Sequence, residues 1–71
     1  MANETAKVRL WQIEYRATAI KFTTAPPGGN GRTLWLPRSQ IEHISRDMAL
    51  PNGWIPATVT LQIWLATKEN L

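Results

Sequence analysis

The chain has 71 residues and a mass of 8.0 kDa, which is room for one small domain and excludes a second core or a large catalytic cleft. Eight Lys and Arg against five Asp and Glu give a net charge of +3, and a composition 44% hydrophobic and 18% charged excludes the weakly hydrophobic, highly charged regime of disorder. With no Cys and a single His, disulfide staples and ordinary structural zinc sites are excluded, so a packed core, self-association or both must hold the fold.

Residues 1–6 read as a loose, flexible start that lacks the basic and apolar runs of a secretory signal. No apolar stretch reaches the length of about 18 residues that a membrane span needs. A cytoplasmic location without membrane contact is the expectation, with residues 7–71 forming the single domain.

From Val8 to Ala19 the apolar residues Trp11, Ile13, Tyr15, Ala17 and Ala19 alternate with Gln12, Glu14, Arg16 and Thr18, the period of a half-buried strand. Ile20 and Phe22 then continue in the opposite phase. A strand cannot exchange its faces without an irregularity, so a turn or bulge is predicted near Arg16 to Ala19. The run Ala25-Pro26-Pro27-Gly28-Gly29-Asn30-Gly31 loses backbone donors at its prolines and admits positive φ at its glycines, which predicts a mobile hairpin loop. It lacks the Lys-Ser or Lys-Thr ending of a phosphate-cradling loop.

Thr33-Leu34-Trp35-Leu36-Pro37 resumes alternation, with Leu34 and Leu36 inward and Trp35 outward, until Pro37 ends regular pairing. Ile41 to Arg46 is a further short strand. The next residues, Asp47 to Pro56, carry two prolines and an Asn-Gly pair and form a connection. Ala57 to Ile63 alternates cleanly and is rich in β-branched residues, and Trp64 to Leu71 changes to better helix formers, enough for one or two turns.

Five short strands in so short a chain must bury one face of a strongly bent sheet. The fold class predicted is all-β, a small five-stranded SH3-like or Sm-like barrel with a short C-terminal helical turn. Its predicted core is Val8 or Leu10, Ile13, Ile20, Phe22, Leu34, Leu36, Val59, Leu61 and Ile63.

The runs Ala19-Ile20-Lys21-Phe22, Trp35-Leu36-Pro37-Arg38-Ser39-Gln40-Ile41 and Trp64-Leu65-Ala66-Thr67-Lys68 resemble a pattern in small phage and mobile-element proteins. Those proteins carry a strand ending in Trp-Leu-Pro-Lys-Ser-Gln-Ile and finish near Trp-Leu-Ala-x-Lys. The resemblance covers roughly residues 16–71 and implies a phage-type barrel similar to Sm-like or SH3-like proteins, several of which form rings. It attaches no catalytic role to any residue. Asn70 stands where that family often has Gly.

Four Trp in 71 residues is the most unusual feature of the composition. Three readings stand for them: a second small core outside the barrel, contact between copies, or base stacking. Trp11, Trp54 and Trp64 are the candidates for an interface. Lys21, Arg32, Trp35 and Arg38 are the candidates for nucleic-acid binding, because stacking needs an exposed aromatic face and a phosphate backbone needs cations beside it. His43 has no second ligand and reads as structural, so no metal is assigned. Ser39 follows Pro37 without a nucleophile elbow and reads as a turn serine. Glu14 and Glu42 lack the cleft that a general acid–base pair requires. These readings predict no enzyme, no catalytic residue and no cofactor. The function expected is nucleic-acid binding, single strands included, by a homo-oligomer; the alternative is a module that blocks or recruits a host protein.

Overall fold

A computed structural model of the chain describes residues 4–71. The first strand, β1 (Thr5–Tyr15), is followed by β2 (Ala19–Thr23), β3 (Thr33–Pro37), a 3-10 turn at Arg38–Gln40, β4 (Ile41–Arg46), β5 (Ile55–Gln62) and a short helix, α1 (Ile63–Lys68). The strands form one antiparallel sheet in the order β3-β2-β1-β5-β4. The fold is therefore all-β with five strands and a short C-terminal helix, as the alternation of apolar residues predicts.

β1 is the spine. Residues Thr5 to Gln12 pair with β5, whereas Trp11 to Tyr15 pair with β2, so one long strand serves both halves of the sheet. A register shift between Gln12 and Glu14 leaves Ile13 as an extra residue on the β1 side, and such a bulge bends the strand and increases its twist. A flat sheet of five strands would hold its edges about 19 Å apart. Here the edges β3 and β4 are joined by a 3-10 turn of three residues, which advances only about 2 Å per residue. The sheet must curl into a small barrel, and it stays open along one seam because β3 and β4 share no ladder.

Leu10, Ile20, Phe22, Leu34, Leu36, Ala57, Val59 and Leu61 fill the barrel, and Leu65 and Ala66 of α1 are buried in the same cluster. Partly buried Ala6, Val8, Ile41, Ile44 and Leu71 pack against it. Up to the bulge the inward face of β1 thus carries the even positions, opposite to the face suggested by Trp11 and Ile13; beyond it the parity reverses, and Tyr15 shares the inward face with its partner Ile20. Gln12, buried on that inward face, breaks its apolar pattern, and the hydrophobic odd positions form a different surface.

Two predicted core residues are corrected. Ile13 is the half-buried bulge residue, and Ile63 begins α1 and is 43% exposed. The predicted irregularity near Arg16 to Ala19 takes the form of a tight turn in which the Arg16 N–H donates to Ala19 O at 2.9 Å. The flexible start predicted for residues 1–6 lies outside the described residues at 1–3, while Thr5 and Ala6 pair with Gln62 and Leu61.

Both glycine-bearing connections are held by internal hydrogen bonds. Around the Ala25 to Gly31 loop, Thr24 N–H donates to Arg32 O, Arg32 N–H donates to Thr24 Oγ1, and Gly29 N–H donates to Pro26 O. Gly53, at φ +91°, makes the turn that returns the chain toward β5. At the end of α1, Asn70 adopts φ 60°; its N–H donates to Thr67 O, and Leu71 N–H donates to Ala66 O. This pair of bonds is the Schellman helix stop. Asn70 performs it in the place of glycine.

Candidate nucleic-acid interface

The hairpin β2–β3 pairs Lys21 with Trp35 and Ile20 with Leu36. Because neighbouring positions of a strand face opposite ways, burying Ile20, Phe22, Leu34 and Leu36 puts Lys21 and Trp35 together on the outer surface. The Trp35 ring, in a residue 43% exposed, has the Lys21 ammonium 5.9 Å and the Arg16 guanidinium 5.5 Å from its centroid. Cations at this range are attracted to the negative face of the indole. Glu14, the cross-strand partner of Lys21, forms an ion pair with Arg16.

A second aromatic stands on the other side of the β1–β2 turn. Tyr15 is 51% exposed and has the Arg38 and Arg46 guanidinium carbons 4.9 and 5.8 Å from its ring centroid. Arg38 Nη1 donates to Ala17 O at 2.8 Å and the Arg38 N–H to Thr18 O, so the turn itself orients this side chain. Arg46 Nε donates to Gln12 Oε1 at 2.8 Å. The β1–β2 turn is therefore flanked by two exposed aromatic rings and by the cations Arg16, Lys21, Arg38 and Arg46.

The acidic residues neutralise this end of the molecule only in part. Glu14 pairs with Arg16 of the cluster and Glu42 lies in the groove beside Arg38 and Arg46, accepting from Gln62 Nε2, whereas Asp47 is paired with Arg9 and Glu69 with Arg32 elsewhere. Among the described residues Lys21, Arg38 and Arg46 make no ion pair.

Of the four residues predicted for nucleic-acid binding, the structure brings Lys21 and Trp35 side by side and turns Arg38 toward Tyr15. Arg32 is drawn elsewhere: its Nη1 lies 3.6 Å from a Glu69 carboxylate oxygen, tying the loop to the end of α1. Arg16, Tyr15 and Arg46 belong to the cluster but were missed by sequence reasoning. Tyr15 does share the face of its buried partner Ile20, as its alternation suggests, but the open seam leaves it 51% exposed. Arg46 lies far from Tyr15 in the chain and only the pairing of β4 with β5 and of β5 with β1 brings the two together.

The predicted interface residues fall in three environments. Trp11 is half-buried opposite Thr23 on one side and Pro56 on the other, both buried, which is a small outer cluster within the chain. Trp54 is half-buried beside the Leu50 to Gly53 turn, its N–H donating to Asn52 Oδ1. Trp64 is 53% exposed next to Ile63 on α1. Glu14 and Glu42 lie on different halves of the sheet with separate partners and form no pair.

No group of three His, Asp or Glu suited to a metal occurs among the described residues, and none of their helices is long and apolar enough to cross a membrane. Comparison of the chain with protein-family models, with curated proteins and with solved structures returns no match.

Proposed function

We propose that this chain is a non-catalytic protein that binds single-stranded nucleic acid on the outer surface of β2–β3, with Trp35 as the stacking platform. The observation that carries this reading is the placement of Trp35, exposed on a sheet face between Arg16 and Lys21, with Arg38 and Arg46 just beyond the β1–β2 turn. Sheet surfaces that present an aromatic ring among cations suit single strands, because bases stack on the ring while phosphates track the charge. Self-association belongs to the same proposal, since a second copy would multiply a weak patch. The adjacent exposed Ile63 and Trp64 supply an apolar surface for it on α1, a different element from those that carry the cluster.

Fluorescence anisotropy of a labelled single-stranded oligonucleotide at low salt tests the proposal. Binding is expected to weaken steeply as salt rises. Trp35→Ala should lose about 1 to 3 kcal/mol of binding free energy through lost stacking, and Lys21→Gln should weaken all sequences alike. Absence of binding at high protein concentration overturns the reading. Salt-insensitive capture of one protein through Trp35 would instead identify an interaction module.

A further inference from the structure

The open seam of the barrel contains a groove of about 320 Å³ between β4 and the β1–β2 turn, with Tyr15, Arg38, Arg46, His43 and Glu42 on its walls and Ile20 at its base. We infer that this groove is an anion site for a phosphate group, free or terminal, with Arg38 and Arg46 as its paired ligands and Tyr15 as the ring that holds them.

Two like charges converge on one ring here, and none of the described carboxylates lies within ion-pair distance of either. Glu42 is on the wall as well, its carboxylate held by Gln62 Nε2 of β5 at 2.6 Å and outside ion-pair distance of both guanidinium groups. Each guanidinium donates one hydrogen bond into its own chain, Arg38 to Ala17 O and Arg46 to Gln12 Oε1. Those bonds orient the groups and leave most of their five N–H donors unspent. A planar guanidinium with free donors matches phosphate oxygens, and charge-assisted bonds of this type are strong. The two positive charges complement a terminal or free phosphate, which approaches a dianion at neutral pH, better than the single charge of a diester linkage. The Arg38 and Arg46 guanidinium groups, 4.9 and 5.8 Å from the Tyr15 centroid, rest against the ring that holds them.

The phosphate has two sources, a free phosphate or the terminal phosphate of a strand lying across Trp35. Only the second rests on the proposed function. The first arm of the test is a titration of the isotope-labelled protein with inorganic phosphate at constant ionic strength, followed by NMR at the Nε–Hε groups of Arg38 and Arg46 and at the Tyr15 ring. Saturable shifts confined to these groups are expected, with affinity weakened roughly tenfold or more in Arg38→Gln and in Arg46→Gln and unchanged in Arg9→Gln. Shifts that fail to saturate, that spread over all arginines, or that chloride reproduces overturn the inference, and they do so on the unaltered protein. The second arm compares oligonucleotides with and without a terminal phosphate. Tighter binding of the phosphorylated strand, lost in Arg46→Gln, assigns the anion to a strand end. Saturable phosphate binding without that gain assigns free phosphate, and it sustains the anion site even where oligonucleotides fail to bind and the proposed function falls.

Discussion

Arg46 of β4 donates its Nε–H to Gln12 Oε1 of β1 at 2.8 Å, joining residues 34 positions apart. Gln12 is only 8% exposed and lies on the inward face of β1, so its amide needs this partner. Gln12→Ala removes the acceptor and opens space at the core edge; a loss of about 1 to 3 kcal/mol is expected in urea unfolding. In a double-mutant cycle with Arg46→Ala the two losses should couple by about 1 kcal/mol, whereas independent sites would add.

Phe22 is the largest fully buried side chain, and it sits opposite both Gln12 and Leu34 in the ladders. Truncating such a residue costs about 3 to 5 kcal/mol, against a total of about 4 to 10 kcal/mol for a chain of this length at the average per-residue stability. Phe22→Ala should therefore populate unfolded chains at 37 °C. Loss of the near-ultraviolet circular dichroism of the Trp residues would report it.

Gly31 and Gly28 lie in the same loop but tolerate a side chain differently. A Cβ on Gly31 would stand 2.6 Å from Ala25 N and 2.7 Å from Ala25 Cβ, whereas one on Gly28 meets nothing within 4 Å. Gly31→Ala must displace backbone and is expected to cost about 1 to 3 kcal/mol. Gly28→Ala, strained only by its φ of +87°, should cost about 1 kcal/mol. Thermal unfolding of the two variants measures the order.

Asn70 ends α1 in the left-handed region, where a Cβ is a liability. Asn70→Gly should gain a few tenths of a kcal/mol to about 1 kcal/mol. Asn70→Val should lose about 1 to 2 kcal/mol, and with it the seating of Leu71 against the core. Melting temperatures on either side of the parent protein are the expected readout.

Ile63 and Trp64 present adjoining apolar surface on α1 without contributing to the buried cluster. If copies of the chain associate there, Trp64→Lys should shift sedimentation to the monomer at tens of micromolar while the far-ultraviolet spectrum stays unchanged. A parent chain that is already monomeric at that concentration contradicts the self-association reading.

Alternation within Thr33–Pro37 and most of β5, together with the turn residues between the strands, determined by itself that the protein is all-β and that Leu34, Leu36, Val59 and Leu61 point inward. It also put Trp35 and Lys21 on the surface, since period two is a local property of the strand. The inward phase of β1 was decided by the tertiary structure, because Gln12 occupies a core position that only Arg46 makes tolerable, and a bulge at Ile13 has no mark of its own in the chain. The pairing of Arg38 and Arg46 on Tyr15 depends on the sheet order β3-β2-β1-β5-β4, which no local pattern specifies. Long-range strand pairing places such residues together, and it is chosen by the free energy of the whole core rather than by the sequence of any one strand.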